Sequence, residues 1–107
     1  MDKKAFGNKI RDLRKIRHIS AEELAKALNI SPSAIWNIEL GYRSISVPVL
    51  VKLCNYMKIS PNTILINDLE LTSDNEHEKL YKEMLSLPQG DMEIVLELIQ
   101  ILNKNKK

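Results

Sequence analysis

The chain has 107 residues, of which 44% are hydrophobic, 28% charged and only 5% aromatic, with 3 glycines. This length suits one compact unit with an appendage and excludes a two-domain enzyme, and the composition favours helices over a β-sandwich. The single cysteine, Cys54, excludes an internal disulfide and a cysteine zinc site, as is typical of a reducing compartment. Because membrane-span and signal-peptide patterns are both missing from the sequence, we expect a cytoplasmic protein without membrane contact.

The net charge of +2 conceals two parts of opposite sign. Residues 1–66 carry 11 Lys and Arg against 5 Asp and Glu, a net charge of +6, whereas residues 67–107 carry 5 against 9, a net charge of −4. Neutralising phosphates releases condensed counterions, so the basic part suits a polyanion. The alternative is that both parts are ordinary solvated surfaces.

The first two helices are predicted from periodicity and from a capping signal. A helix over residues 4–17 carries an apolar stripe that we expect to be buried, formed by Phe6, Ile10, Leu13 and Ile16. Ser20 and Glu23 form a capping box that begins a second helix over residues 21–28. Asn29 follows it as the left-handed residue that ends the helix.

Three further helices begin with a capping serine followed closely by a proline. We expect them over residues 32–40, 47–57 and 61–66, with Gly41 closing the first of them. Cys54 lies on the predicted inward side of the second, where a thiol is a core residue.

Residues 67–75 are polar and acidic without periodicity, and we interpret them as a linker. Helices over residues 76–87 and 92–103 follow, separated by a break at residues 88–90. The last helix is apolar around most of its circumference, more than one neighbouring helix covers. We therefore expect the hairpin 76–107 to pair with a second copy through Leu80, Met84, Leu87, Val95, Leu98, Ile99 and Leu102. The alternative is that the hairpin folds back onto the preceding helices of the same chain.

Two short helices joined by a tight turn, the second opened by Ser-Pro and closed by Glu-x-Gly, resemble the helix-turn-helix of the lambda-repressor-like (phage-repressor, XRE-type) family. The resemblance covers residues 6–66 and rests on the joint spacing of Ile10-Arg11-Asp12-Leu13-Arg14, Glu23-Leu24-Ala25, Ile30-Ser31, Ile35, Ile38-Glu39 and Gly41. It implies an all-α fold, in which a five-helix DNA-binding domain (1–66) precedes the dimerisation hairpin (76–107). The third helix would enter the major groove, the docking geometry known for phage repressors.

The resemblance also implies a set of site residues. The base-contacting positions are Pro32, Ser33, Trp36 and Asn37, of which Asn37 can pair in two places with adenine and Trp36 can press on a thymine methyl. Phosphate contacts are expected from the helix N-termini at Ser20, Ser31 and Ser46 and from Arg43, with Lys9 and Lys52 as further cations. Ala21 and Tyr42 are also expected among the DNA-binding residues. The simpler role of Ser20 and Ser46 is helix capping. Arg14 and Glu39 are expected to form an ion pair between the first and third helices.

No nucleophile with its base, phosphate loop or carboxylate cluster is recognisable, and His18 and His77 lack ligand spacing, so we expect no enzyme activity, cofactor or metal. The leading hypothesis is a homodimeric repressor that binds a pseudo-palindromic operator in double-stranded DNA. A second hypothesis is an antagonist or antitoxin that forms a heterodimer with a related regulator. Ala21, which stands where relatives commonly carry glutamine, and the apolar trio Trp36, Leu40 and Tyr42 motivate it.

Overall fold

The computed structural model describes residues 3–65, 74–87 and 91–105. These residues form seven helices and no strand, which confirms the predicted all-α fold. The helices are α1 (Lys3–Ile16), α2 (Ala21–Leu28), α3 (Pro32–Glu39), α4 (Val47–Met57), α5 (Pro61–Leu65), α6 (Asp74–Leu85) and α7 (Met92–Asn105). None of these described helices has the length and apolarity that crossing a membrane requires. The predicted helix end at Ile66, most of the predicted linker and the break at residues 88–90 lie outside the described residues.

The chain divides into two compact units, Asp2–Ile45 with α1 to α3 and Ser46–Lys107 with α4 to α7. In the second unit, α4 and α5 pack against α7, and α6 packs against α4 and α7. This boundary differs from the predicted domain end at residue 66, because α4 and α5 bury their apolar sides together with the C-terminal helices. The division into functional domains stays a prediction.

In the first unit, α1 buries one face against α3. Phe6 and Ile10 are each only 2% exposed, and Gly7 between them is buried as well. The prediction for Ile16 is wrong, since this residue is 72% exposed. Ile16 is the last residue of α1, and the chain turns at His18, whose φ is 56°. Near the C-terminal end of α1, the residue that contacts α3 is Arg14 rather than Ile16.

In the second unit, α7 lies in the middle of the core. Four of the seven residues expected at a dimer interface are buried within one chain: Met84, Val95, Leu98 and Leu102. Leu80, Leu87 and Ile99 are half-buried. Val95, Leu98 and Leu102 lie on the side of α7 that packs against α4, α5 and α6 of the same chain, and pairing with a second copy stays a prediction.

Polar side chains link the helices of this unit at its surface. Asn55 on α4 donates to Asp91 (2.8 Å), and Tyr81 on α6 donates to Asn103 on α7 (2.7 Å). The Ser60 hydroxyl, just before α5, donates to the Glu97 carboxylate of α7. Because these bonds join separate helices, they fix the register of α7 against its neighbours.

The helix α6 begins at Asp74, so the linker predicted to reach residue 75 ends earlier. Cys54 is fully buried on α4, as a core residue. Burial, assisted by the negative charge of Glu97, raises the pKa of the thiol to about 12, so the thiol is protonated at neutral pH.

Candidate nucleic-acid interface

The helices α2 and α3 are joined by a turn of three residues. Asn29 adopts the left-handed conformation (φ 58°) and the next amide, that of Ile30, donates back to the carbonyl of Ala25 at 3.0 Å. Ser31 then starts α3, because its hydroxyl accepts a hydrogen bond from the amide of Ala34 at 3.1 Å. This local chemistry sets the angle between the two helices.

The serines at the starts of α2 and α4 cap those helices in the same way. Ser20 accepts from the amide of Glu23 at 3.0 Å, and Ser46 accepts from the amide of Val49 at 3.4 Å. Ser46 belongs to the second unit, whereas Ser20 belongs to the first. The predicted contact of Ala21 with DNA stays a prediction, and the residue is only 6% exposed. It lies in the core because the first turn of α2 packs inward.

Arg14 and Glu39 connect α1 with α3. The Arg14 Nε donates to Glu39 Oε2 at 2.8 Å, and a second guanidinium nitrogen donates to Oε1 at 3.1 Å, which makes the contact bidentate. A third guanidinium nitrogen donates to the carbonyl of Ile19 at 3.0 Å. The hydrogen bond with Glu39 is the main influence that raises the pKa of Arg14 above its ordinary value. Because Glu39 is only 5% exposed, this contact holds the end of α3 to α1 largely away from water.

The backbones of α1 and α3 approach each other at Gly7. A Cβ at this position would lie 2.3 Å from the carbonyl oxygen of Ile38 and 2.5 Å from that of Glu39. Only a residue without a side chain permits this approach. Sequence reasoning did not single out Gly7, although a glycine inside a predicted helix, between Phe6 and Ile10, is the signal of such a contact.

The two sides of α3 are sharply different. Its inner side is buried by α1 and α2 and consists of Ala34, Ile35, Ile38 and Glu39. Its outer side is exposed and consists of Pro32, Ser33, Trp36 and Asn37, the four residues predicted to contact bases. Trp36 is 48% exposed, and the neighbouring Leu40 is 52% exposed. The unit therefore presents a helix whose inner side is packed and whose outer side is open to solvent.

The chain folds back beside the C-terminal end of α3. Gly41 has a φ of 83°, and a Cβ there would lie 2.8 Å from the Cα of Lys4. Beyond Gly41, the amides of Tyr42 and Arg43 both donate to the carbonyl of Asn37, at 2.9 and 3.2 Å. Both side chains are exposed, Tyr42 to 77%. The predicted contacts Tyr42 and Arg43 are thus held at one end of the outer side of α3.

The first unit is basic although α3 itself is not. Residues 2–45 carry nine Lys and Arg against five Asp and Glu, a net charge of +4. The one charged residue of α3, Glu39, is buried and paired. Lys9 lies on α1 of this unit, whereas Lys52 lies on α4 of the second unit. The first unit therefore combines a positive net charge with an outer side of α3 that carries no charged residue.

Curated relatives of the chain are phage proteins. The transcriptional repressor RstR of the cryptic phage CTXphi, from Vibrio cholerae, is 26% identical over 102 residues, which are 95% of this chain and 91% of the repressor. The ImmF control region 10 kDa protein of Bacillus phage phi105 is 25% identical over 79 residues, which are 74% of this chain and 88% of that protein.

Solved structures of regulators share the fold. The restriction-modification controller protein C.AhdI from Aeromonas hydrophila matches with a TM-score of 0.57 and 30% identity, over 59% of this chain and 96% of the controller. The clp gene regulator ClgR from C. glutamicum matches with a TM-score of 0.58 and 25% identity, over 67% of this chain and 97% of that regulator.

A family model for the helix-turn-helix matches residues 10–64, more than half of the 107 residues. The matched segment contains α2, the turn and α3. The chain therefore belongs to the helix-turn-helix family, of the XRE type, and is a DNA-binding transcription regulator rather than an enzyme.

Proposed function

We propose that this protein is a repressor that binds a pseudo-palindromic operator as a homodimer, with α3 of each copy in the major groove. The observation that carries the proposal is the outer side of α3, which exposes Ser33, Trp36 and Asn37 while the inner side is fixed by α1 and α2. A major groove about 12 Å wide admits one helix, whose outer residues then meet base edges. The similarity to the phage repressor RstR supports repression over activation.

Contacts with the sugar-phosphate backbone would surround this helix. Ser20 and Ser31 stand at helix N-termini, where unpaired backbone amides favour anions, and Arg43 is an exposed cation tied to α3 through its backbone. Such contacts fix the register of the protein on the duplex and carry no sequence information. Both serine hydroxyls already accept capping hydrogen bonds, so capping is their first role. We propose that a phosphate binds at these two helix N-termini through the backbone amides and the hydroxyls together.

The dimer would form through the exposed apolar residues of the second unit. Leu85 on α6 is 77% exposed, and Met92 and Leu96 on α7 are 40% and 52% exposed. Two copies related by a two-fold axis would place two reading helices about 34–36 Å apart, the spacing of successive major grooves. Binding two half-sites together multiplies a modest affinity for one of them.

The test of DNA recognition is a gel-shift and footprint series with DNA from the chain's own upstream region. Asn37→Ala should weaken the specific complex by about 1–3 kcal/mol and leave binding to unrelated DNA unchanged, whereas Arg43→Ala should weaken all complexes and flatten the salt dependence. Asn62→Ala and Lys79→Ala, two exposed residues of the second unit, are matched controls. Equal effects of Asn37→Ala and Asn62→Ala would contradict reading by α3.

The oligomeric state is tested separately by analytical ultracentrifugation. The proposal expects a dimer, which Leu85→Gln with Leu96→Gln converts to a monomer with weakened operator binding, while the exposed Glu93→Gln leaves it a dimer. A wild-type chain that stays monomeric at tens of micromolar, free and on the operator, would refute the homodimer.

A second candidate function is a protein-interaction module that pairs with a related regulator. Trp36, Leu40 and Tyr42, all about half exposed or more, favour it because exposed apolar clusters mark protein contacts. Trp36 is the only tryptophan of the chain, so its emission reports on this surface. A change of emission on adding operator DNA supports the repressor, whereas a change only on adding a related regulator supports this second function.

A further inference from the structure

The outer side of α3 consists of two parallel rows of different chemistry. Side chains four residues apart lie above one another on a helix. Pro32, Trp36 and Leu40 therefore form an apolar row at the edge of the helix, and Ser33 and Asn37 form a polar row beside it. All five residues are exposed.

This surface lacks the groups that read guanine. The commonest contact with guanine is a bidentate one from Arg or Lys to its O6 and N7 atoms. Between Pro32 and Leu40 the sequence has no Arg or Lys, and the one charged residue, Glu39, faces inward in its ion pair with Arg14. Arg43 lies beyond the end of α3 and past Gly41, at the edge of this surface.

The two rows match an A·T base pair instead. In the major groove adenine offers the N7 acceptor and the N6 donor, which a primary amide satisfies in two places, and thymine offers a C5-methyl group to apolar side chains. Asn37 supplies the amide, and Trp36 supplies the apolar surface one residue before it. We propose that the half-site core consists of A·T base pairs and that Trp36 recognises a thymine methyl group. The inference rests on the proposed function and specifies its ligand.

The net charge of +4 on this unit favours a nucleic acid over an apolar protein surface as the partner. The alternative partner, a protein docked on the apolar row, remains an outcome of the test.

The test starts with selection of duplexes from a random-sequence library by the full chain, followed by binding measurements from the anisotropy of labelled DNA. In the selected duplex each thymine is replaced in turn by deoxyuridine, which removes only the methyl group and keeps base pairing. We expect A·T pairs at the core and, for the wild-type protein, an affinity loss of about fourfold at the contacted thymine, the effect of one buried methyl group.

The variants assign that loss to one side chain. Trp36→Ala should bind more weakly and lose the deoxyuridine effect, whereas Asn37→Ala should bind more weakly and keep it, because the two contacts are separate. Selected cores of G·C pairs, or affinities unchanged by every deoxyuridine, overturn this inference while leaving the repressor function standing. A library from which nothing is enriched, even at about 50 mM salt, overturns both and favours a protein partner. Where Trp36→Ala folds poorly, the deoxyuridine series on the wild-type protein still tests the A·T core, and Trp36→Phe tests the side chain: a reduced deoxyuridine effect supports the contact, and an unchanged effect overturns it.

Discussion

Replacing Arg14 by methionine should destabilise the first unit strongly. The carboxylate of Glu39 is only 5% exposed and receives two hydrogen bonds from Arg14, so the variant leaves a buried charge without its partner. Removing one member of a buried ion pair costs about 3–5 kcal/mol. The lost bond to the carbonyl of Ile19 adds about 1 kcal/mol, but the 14% exposure of Arg14 admits some water, so we expect a total near 3–4 kcal/mol. Since domains are stable by about 5–15 kcal/mol, this is a large part of the total.

The measurement is urea unfolding followed by circular dichroism, together with the emission of Trp36. Lys15→Met, which changes the exposed neighbouring cation of α1 in the same way, is the control and should cost less than about 0.5 kcal/mol. The double variant Arg14→Met with Glu39→Leu should recover most of the lost stability, because it leaves no buried charge behind. A loss for Arg14→Met as small as that for Lys15→Met would refute the reasoning, since the pair would then behave as two solvated charges.

Three further perturbations test the packing of the two units. Gly7→Ala should lower the free energy of unfolding by about 1–3 kcal/mol or more, because the new Cβ would lie 2.3 Å from the carbonyl oxygen of Ile38; a neutral result in urea unfolding would contradict the close approach. Because burial raises the pKa of the Cys54 thiol to about 12, the thiol loses its proton at a lower pH in the unfolded chain than in the folded one. The free energy of unfolding should therefore fall by about 1.4 kcal/mol for each pH unit between about pH 9 and pH 12, and Cys54→Ala, measured alongside, should lack this contribution. Lys58 has a φ of 54°, a left-handed conformation that glycine adopts more readily than lysine, so Lys58→Gly should raise the melting temperature. Lys52→Gly, inside α4, should lower it because glycine disfavours a helix, and changes of the same sign for both variants would refute the argument.

Local features of the fold could be predicted from the sequence because their chemistry involves neighbours in the chain. The starts of α2 and α3 were indicated by Ser20 and Ser31, whose hydroxyls accept from amides three residues later. The turn was indicated by Asn29, a residue that tolerates the left-handed conformation better than most. The pair of Arg14 and Glu39, 25 residues apart, followed from family resemblance alone, since no local rule connects them.

The partner that covers an apolar face could not be predicted. Periodicity shows that α7 must be buried on several sides, and it does not distinguish a second copy from α4 and α5 of the same chain. In the structure, Val95 and Leu98 are buried within one chain. Ile16 failed for a related reason, because a helical stripe predicts burial only as far as the neighbouring helix extends.

The arrangement around α3 separates the residues that stabilise the protein from those that would choose its DNA. The capping bond to Ser31, the ion pair of Glu39 and the close approach at Gly7 all act on the start or the inner side of α3. The outer residues Asn37 and Trp36 are exposed, whereas Ile35 and Ile38 on the inner side are buried. The outer residues therefore bury less side-chain area in that packing. Substitutions of Ser33 and Asn37 should therefore change the operator sequence with stability changes within about 0.5 kcal/mol, whereas substitutions on the inner side should change stability first and DNA binding only as a consequence. A fixed scaffold with an independent reading surface allows one fold to serve many operators.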